Sequence, residues 1–564
     1  MMDRVNQILS WSQWRTGVLI GTMMLLSAVS LFGQDQEWDE DGAIQDAEVV
    51  IEKDRQITLE KANRGYEKVG PLPDNVNRQP QQYSFDYINY TATPFTPRIR
   101  INRIKEQPLP KLYGNYVKGG VGNYGTTYLE GYFNNKRSET HSLGGYIKSL
   151  SSSRGPVDKG NSASSDFSLG VEGSYFLDEV TLHGNADYQR QKVFYYGYTP
   201  GIEVEKDTIK QIYNQVSIGL GIEDKQKNKG VDFTLDGQFR SFSDEYDSSE
   251  DHGQFNFHGT YQLNDNLGFG IKSDIHFSKR SIIGESQNRN LFRIQPYVKT
   301  KISDITLEAG LNVVSENDTI ENAGKTHVAP VVTATWKVYD QITLYAGIAG
   351  GVEFRSWESY VDENPYLGSE VSLSHNIKAF EVHGGLKGSL WESVSFHTAL
   401  SIGTYDNLAF FATNSSDSTR FDILYDTDNP TLVHFLAEVG YSKVDDLLLN
   451  FRADFYGYDT QSLTKAWGRP TYSLKASATY SIYEKIVLGT SITMMGGIKG
   501  LNQQSGSEQK LDGIFDLNLS VDYLFSPRFS AFVIGKNIAS QEYQQFLNYP
   551  SRGINVIGGI SYSF

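Results

Sequence analysis

Residues 553–564 end the chain with the sequence GINVIGGISYSF, in which successive positions alternate in character. In an extended chain every second side chain points to the same side. One face of this segment then runs from Ile554 to Phe564 and is apolar apart from one glycine, while the other face runs from Asn555 to Ser563 and is mostly small and polar. This period of two predicts a β-strand with one apolar face.

The same pattern recurs far from the C-terminus. Residues 231–240 (VDFTLDGQFR) and 447–458 (LLLNFRADFYGY) both alternate over their length. Soluble β-sandwiches also alternate, but their strands usually have about 5 or 6 residues. The apolar faces here are long enough for the roughly 9 to 11 residues of a tilted membrane strand.

The connections between these strands predict how the sheet is arranged, because they alternate strictly between tight and long. The tight connections are LDE near Asp178, NDN near Asn264, SD at Ser303, YDQ near Asp340, WES near Glu392, VDD near Asp445, YEK near Glu484 and SPR near Pro527. The long ones include residues 151–165 and Tyr405–Pro430. Short turns at one rim and long loops at the other are typical of outer-membrane barrels. We therefore predict an all-β protein, an antiparallel transmembrane β-barrel over residues 112–564 with about 22 strands (range roughly 20 to 24).

Composition fits this class and excludes others. The chain has 35 Tyr, 30 Phe and 53 Gly but no Cys, so disulfides, thiolate metal sites and a cysteine nucleophile are ruled out. A mean hydropathy of -0.41 is too polar for a bundle of membrane helices. The formal charge of -16 argues against a nucleic-acid partner, which needs a basic face.

The N-terminus predicts export. Arg15 precedes an uncharged run over residues 16–32, followed by small and acidic residues. We interpret residues 1–33 as a signal peptide cleaved after Ser30 or Gly33, since the run is short for a membrane anchor. Export and a barrel together predict the outer membrane of a Gram-negative bacterium. The terminal aromatic residues Tyr562 and Phe564 are then the expected signal for the outer-membrane insertion machinery.

Residues 34–111 differ from the barrel, since their prolines and charges interrupt any long period. We predict a short irregular periplasmic segment that serves as a partial plug. Its basic end, RIRINRIKEQPLPK (residues 98–111), either enters the barrel lumen or stays in the periplasm. In the lumen, four basic side chains of this arm would pair with inward carboxylates such as Asp236, Asp454 and Asp522. The four are Arg98, Arg100, Arg103 and Lys105.

The end of the chain resembles TonB-dependent receptors. Their last hairpin has an aromatic strand, a short turn, a strand ending near a Lys-Asn pair, a loop with tyrosines and a final strand ending in Phe. The matching residues are Tyr523, Phe525, Pro527, Lys536, Asn537, Tyr543, Tyr549 and Phe564. The resemblance implies uptake through a large barrel. Segment 34–111 is shorter than the plug domain of that family, which leaves energised uptake open. The run AEVVIEK (Ala47–Lys53) is similar to the short strand that engages TonB, although many acidic-apolar heptads share the pattern.

Lumen-facing positions are the candidate site. Charged residues on polar strand faces include the following candidates: Asp232, Asp236, Arg240, Lys272, Asp274, Arg293, Lys299, Lys301, Arg452 and Asp454. Most are expected to pair across neighbouring strands. The row of Arg293, Lys299 and Lys301 is alternatively an anion-binding surface.

Histidines also fall on polar faces, namely His183, His258, His276, His383, His397 and His434. Polar lumen walls account for them better than a metal site, because no pair has the spacing of metal ligands. No catalytic or nucleotide-binding motif is present, so the sequence predicts neither an enzyme nor a cofactor.

Two functions remain open from the sequence. The first is solute uptake or binding at the outer membrane, with long outer loops for recognition and TonB as the possible source of energy. The second is a structural or assembly subunit of an outer-membrane complex, with neighbouring outer-membrane or periplasmic proteins as partners. Membrane lipid and the insertion machinery are expected partners in both cases.

Overall fold

A computed structural model describes most of the region predicted to be the barrel, which falls within one compact unit, residues 105–564. The predicted signal peptide, segment 34–111 and the four basic arm residues lie outside the described residues. The described residues are 114–135, 138–199, 201–225, 230–318, 324–391, 393–443 and 446–564.

A closed antiparallel barrel of 22 strands forms the body of the structure, as predicted. Closure comes from the first strand, Asn115–Gly122, which pairs with both the second strand and the last one, Asn555–Ser563. The barrel strands are β1 (Asn115–Gly122), β2 (Thr126–Asn134), β3 (His141–Ser152), β4 (Ser164–Phe176), β5 (Val180–Phe194), β6 (Lys210–Asp224), β7 (Val231–Ser243), β8 (Ser249–Asn264), β9 (Leu267–Ile282), β10 (Glu285–Ile302), β11 (Ile305–Glu316), β12 (Lys325–Tyr339), β13 (Ile342–Glu353), β14 (Asn376–Leu390), β15 (Val394–Asp406), β18 (Thr431–Lys443), β19 (Leu447–Asp459), β20 (Tyr472–Ile482), β21 (Ile486–Gly496), β24 (Ile514–Leu524), β25 (Phe529–Lys536) and β28 (Asn555–Ser563).

The remaining elements lie in the connections between barrel strands. They are helix α1 (Trp357–Glu363), the short strands β16 (Leu408–Thr413), β17 (Phe421–Asp426), β22 (Lys499–Asn502), β23 (Ser507–Lys510), β26 (Gln544–Phe546) and β27 (Tyr549–Pro550), and the 3-10 turns Asn123–Gly125, Lys159–Ser162 and Lys206–Ile209. Within the described residues, no helix is both long and apolar enough to cross a membrane.

Short turns lie at one rim, where both ends of the barrel sequence also lie. The predicted strict alternation of tight and long connections is wrong at the opposite rim, because β1 and β2 are joined there by Asn123–Gly125 alone. Strands β9 and β10 have 16 and 18 residues, and only residues 283–284 join them. Gly284 has a φ of 80°, which glycine adopts without steric cost. Here a lengthened hairpin replaces a loop.

The two faces of each strand differ as the sequence predicted. In β28, Ile560 is 64% exposed, whereas Ile557, three residues earlier and on the other face, is fully buried. A ring of exposed aromatic residues marks the short-turn rim. It includes Tyr339, Trp391, Tyr483 and Phe525. An exposed apolar band with an aromatic girdle is the lipid-facing surface of an outer-membrane barrel.

Candidate functional site

Five long loops from one rim form a structure that we call the loop cap. It consists of residues 354–375, 407–430, 460–471, 497–513 and 537–554. Strands of two of these loops combine into one four-stranded sheet, in the order β17-β16-β22-β23. Loop residues and inward side chains of the wall share one hydrophobic core: Val193, Tyr213, Phe242, Trp357, Tyr360, Val361, Leu367, Val371, Leu373, Ala409, Phe411, Phe421, Ile423, Ile498, Leu511, Ile514, Leu547 and Tyr549.

Helix α1 anchors the cap against the wall. Ser356 caps its N-terminus, since the Ser356 side chain accepts a hydrogen bond of 3.1 Å from the Ser359 amide. Trp357 is fully buried and packs edge-on against Phe242, with ring centroids 5.0 Å apart. Its backbone amide donates to Glu250 of β8 at 2.6 Å. Phe242 and Glu250 lie on the strand faces that point away from the lipid. Their contacts with Trp357 place α1 inside the barrel.

Backbone hydrogen bonds join the loops to one another. The Gly368 amide donates to the Phe421 carbonyl at 2.9 Å, and the Phe421 amide donates to the Tyr366 carbonyl at 2.9 Å. Similar bonds run from Phe411 to Trp467 at 3.1 Å and from Gly468 to Lys499 at 2.9 Å. These bonds satisfy backbone groups that burial would otherwise leave unpaired. The loops of the cap are therefore held to one another by backbone pairing as well as by the core that they share with the wall.

Glu363, at the end of α1, holds two arginines. Arg469 of loop 460–471 lies 2.6 Å from its carboxylate, and Arg355 of its own loop contacts the other oxygen. Burial alone would raise the pKa of Glu363, but the two guanidinium groups outweigh it and lower this pKa. The carboxylate stays ionised and ties two loops together.

Two fully buried arginines of the barrel wall donate hydrogen bonds to backbone carbonyls of loop 354–375. Arg280 of β9 donates to the Ser369 carbonyl at 2.9 Å and also to that of Val371. Arg289 of β10 donates to the Arg355 carbonyl at 2.7 Å. Burying a guanidinium is costly unless it is hydrogen-bonded, so these contacts favour the seated position of the loop.

Asp426 joins a second pair of loops. It lies at the end of β17 and accepts hydrogen bonds from the backbone amides of Gln461 at 2.8 Å and Ser462 at 3.0 Å, and from the Ser462 hydroxyl at 2.8 Å. Burial tends to raise the pKa of Asp426, but these donors outweigh it and lower the pKa. Loop 460–471 is thereby held to loop 407–430.

A cavity of about 440 Å³, which we call the lumen cavity, lies between α1 and the wall. Val361 and Asp362 of α1 form one side. The other side comes from strands β2 to β7 and is rich in charged, amide and aromatic residues. These include Tyr128, Glu130, Lys148, Asp166, Gln189, Gln191 and Gln215. Such a lining suits a polar solute better than a lipid.

The predicted lumen residues of β7 contact the wall and the cap. Asp232 lies on the same face of β7 as Asp236 and Arg240. Asp236 lies 2.9 Å from His183, which is two strands away on β5. The intervening residue on β6 is Gly221, where a Cβ atom would come within 2.3 Å of both side chains. Arg240 reaches Glu358 of α1 at 3.3 Å, so this predicted residue connects wall and cap.

On β9 and β10 the predicted charges form pairs. Lys272 lies 2.7 Å from Glu308 of β11, and Asp274 lies 3.0 Å from Arg293. Arg293 is the one member of the proposed anion-binding row with an ion pair among the described residues. The other members are Lys299 and Lys301, towards the short-turn end of β10. Binding of an anion along this row stays a prediction.

On β19, Arg452 lies 2.7 Å from both Glu438 and Asp454. The six histidines are spread over separate strands and contact nearby wall residues. Their contacts are His183 with Asp236, His258 with Tyr297, His276 with Asp274, His383 with Glu381, His397 with Tyr345 and His434 with Asp454. No group of three or more potential metal ligands is present among the described residues.

At the C-terminus, the rings of Tyr562 and Phe564 stack on the lipid-facing side, with centroids 5.7 Å apart. Their role as an insertion signal stays a prediction.

Sequence reasoning missed the cap. The run LAFFAT (residues 408–413) lies within the predicted long connection Tyr405–Pro430, yet it forms β16 and is almost wholly buried. Helix α1 had a detectable signal, because apolar Trp357, Tyr360 and Val361 have helical spacing after a serine that can cap a helix.

Comparison of the structure with solved structures finds many barrels of the same fold. The FrpB iron transporter from Neisseria meningitidis superposes with a TM-score of 0.60 at 10% identity, over 81% of this chain and 82% of that one. The siderophore receptor PirA from Acinetobacter baumannii gives 0.58 at 12% identity, over 80% of each chain. The outer-membrane ferripyoverdine receptor of Pseudomonas aeruginosa gives 0.58 at 13%, over 80% and 71%.

The chain has the barrel fold of TonB-dependent receptors. Sequence comparisons with family models and with curated proteins find no match, so the likeness is one of structure. The TonB-dependent receptor fold and the lipid-facing band place this barrel in the bacterial outer membrane. The three neighbours are transporters or receptors by name.

Proposed function

We propose that the chain takes up a polar solute across the outer membrane, and that the loop cap is the gate of this pathway. The observation that carries the proposal is the position of the cap, which shares a hydrophobic core with the inner wall of the barrel directly beside a polar cavity. A barrel of 22 strands is wide enough to pass a solute unless its lumen is filled. The receptor fold of its neighbours supports the same function.

The test opens the cap without changing the lumen wall. Trp357→Ala removes the fully buried ring on which α1 seats, and such a truncation costs about 3–5 kcal/mol in a packed core. We expect this variant to show more frequent channel openings in planar bilayers than the parent chain. Liposome swelling with neutral sugars of increasing size then measures what the opened pathway passes.

Trp391→Ala is the matched control, because Trp391 is 81% exposed at the short-turn rim and makes no part of the cap. Both variants are also made in a chain lacking residues 34–97, so that the N-terminal segment does not decide the result. Gel migration before and after boiling verifies that each barrel is folded. A folded Trp357→Ala barrel that conducts no more than the control in both backgrounds contradicts a gated pathway.

An assembly role is the second candidate, and the number of contacts that hold the loop cap in the barrel favours it. Buried arginines, backbone hydrogen bonds between loops and a shared core hold the cap in place. A scaffold subunit whose lumen stays permanently closed would be stabilised by the same contacts. Chemical cross-linking in intact outer membranes distinguishes the two. Stoichiometric neighbours, together with an absence of conductance in the opened variant, support assembly.

Energy coupling through TonB forms part of the uptake proposal. The segment that is similar to the TonB-engaging strand, Ala47–Lys53, lies outside the described residues. Deleting it is expected to abolish energised uptake while leaving passive conductance of the opened barrel unchanged. Energised uptake that persists after the deletion contradicts coupling through this segment.

A further inference from the structure

A second cavity, of about 290 Å³, lies between the wall and the cap. We call it the side cavity. Its wall side comes from the cap-side ends of β3, β4, β5, β24 and β25. Its cap side comes from loop 537–554 and from Tyr366 of loop 354–375. A ligand in this cavity would contact the fixed barrel and two of the cap loops at once.

Three charged side chains line the side cavity without forming an ion pair with any residue that the structure describes. They are Lys536 of β25, Arg552 of loop 537–554 and Asp516 of β24. The side chain of Lys536 makes no hydrogen bond or ion pair with any described residue. Arg552 donates through one terminal nitrogen to Ser164 at 2.8 Å and, more weakly, to the Ser162 carbonyl at 3.3 Å.

Two atoms of this group are buried and lack a partner among the described residues. One is Nε of Arg552 and the other is Oδ1 of Asp516. The second oxygen of Asp516 accepts a hydrogen bond from the Tyr543 hydroxyl at 2.8 Å. An unpaired buried donor or acceptor costs about 1–3 kcal/mol, more when it is charged. A ligand that satisfied both atoms would recover this cost.

The side cavity presents both signs of charge. Two cations, Lys536 and Arg552, and one carboxylate, Asp516, line it, with no direct ion pair between them among the described residues. A ligand carrying one positive and one negative group matches this arrangement, whereas a simple anion or cation leaves one sign unmatched.

We propose that the side cavity binds a small zwitterion of the amino-acid type. Its carboxylate would lie against Lys536 and Nε of Arg552, and its ammonium group would donate to Oδ1 of Asp516. Apolar side chains of the same cavity, Val193, Phe194 and Tyr196, provide the surface for an apolar side chain. The site deepens the proposed uptake function by naming a ligand class, but binding itself does not require transport.

Calorimetry on the purified full chain in detergent tests the site with L-phenylalanine as the probe. Two matched compounds each lack one charge: 3-phenylpropionate lacks the ammonium group and 2-phenylethylamine lacks the carboxylate. We expect saturable binding of one L-phenylalanine per chain and binding about tenfold weaker for either matched compound, since a charge-assisted hydrogen bond is worth about 1.5–3 kcal/mol.

Variants assign the binding to the side cavity. Lys536→Met and Asp516→Asn are each expected to weaken L-phenylalanine binding about tenfold. Their controls are Lys510→Met and Asp512→Asn, which change exposed residues of the cap region outside the cavity. Gel migration before and after boiling shows that each variant is folded.

Three results overturn the assignment: no saturable binding of L-phenylalanine, equal affinity for 3-phenylpropionate, or unchanged affinity in a folded Lys536→Met barrel. Failure of the gating experiment with Trp357→Ala leaves this binding result intact, so the two proposals are tested separately.

Discussion

At Glu363 a single carboxylate holds two loops of the cap. Replacing it by glutamine keeps its size but removes the charge that faces Arg355 and Arg469. We expect Glu363→Gln to destabilise the closed cap by about 1–2 kcal/mol, less than the 3–5 kcal/mol of fully buried pairs because Glu363 is 31% exposed. Hydrogen exchange in residues 356–364 should then be faster than in the parent chain.

Glu370→Gln is the control for this change. Glu370 is exposed on the same loop and makes no ion pair with any described residue. Equal exchange in the two variants would show that the Glu363 contacts do not hold the cap.

Asp426 predicts a pH dependence at one loop junction. Because its pKa is lower in the folded protein than in an unfolded chain, its contribution to stability is complete above the ordinary aspartate pKa of 3.8. It is lost as pH falls through the lower folded value. Protection of the Gln461 and Ser462 amides, corrected for chemical exchange, should therefore persist at pH 5 and decline only below the ordinary aspartate pKa of 3.8. Asp426→Asn should remove the pH dependence, and a persisting decline would assign it to another group.

The side chains of the candidate site illustrate what the sequence can predict at this scale. Alternation placed Asp236 on an inward face, because facing depends only on the parity of position along a strand. Its partner could not be predicted in the same way. His183 reaches Asp236 across Gly221 of the intervening strand, so the contact depends on the register of three strands and on a missing side chain.

At the scale of elements, barrel strands were predictable and cap elements were not. A barrel strand faces lipid on one side and polar surroundings on the other, which imposes a period of two. Strand β16 is buried on both faces, so Leu408–Thr413 shows no period and lies unmarked in a region rich in Asn, Asp, Ser and Thr. Its environment comes from other loops more than 40 residues away in sequence, such as those of Leu367 and Ile498.

Strand β19 provides a test of facing. Phe451 is 43% exposed on the lipid side, and the adjacent Asn450 points to the lumen. We expect Phe451→Lys to cost about 2–4 kcal/mol if it lies near the bilayer midplane, because a charge there must leave water for lipid. Asn450→Lys should be tolerated. Unfolding by denaturant in liposomes measures both, and equal losses would show that the assigned facing is wrong.

At the scale of the whole molecule, the barrel closes by pairing its first strand with its last, and both strands lie within the described residues. The first strand pairs with the last through seven register positions, from Tyr116 with Ser563 to Gly122 with Ile557. Deleting residues 34–97 leaves these pairs and the C-terminal aromatic residues in place. We expect the shortened chain to insert in the outer membrane and to keep its heat-dependent gel mobility. Loss of the folded band would show that this segment is needed for assembly.

The basic arm gives the last prediction. A lumen location for Arg98, Arg100, Arg103 and Lys105 would need inward carboxylates to receive them, and the three expected partners already have contacts within the barrel. Asp236 lies 2.9 Å from His183, Asp454 lies 2.7 Å from Arg452, and Asp522 lies 2.8 Å from Lys118.

A new pair with the arm would have to displace one of these contacts, and the gain would be the difference between two pairs of similar strength. We therefore expect replacement of all four basic residues by serine to leave single-channel conductance of the Trp357→Ala barrel unchanged. A variant that exchanges each Arg for Lys and Lys105 for Arg keeps the charge and is the control. A higher conductance in the serine variant alone would mean that the basic side chains of the arm narrow the pore. It would also mean that they displace the existing ion pairs of the wall.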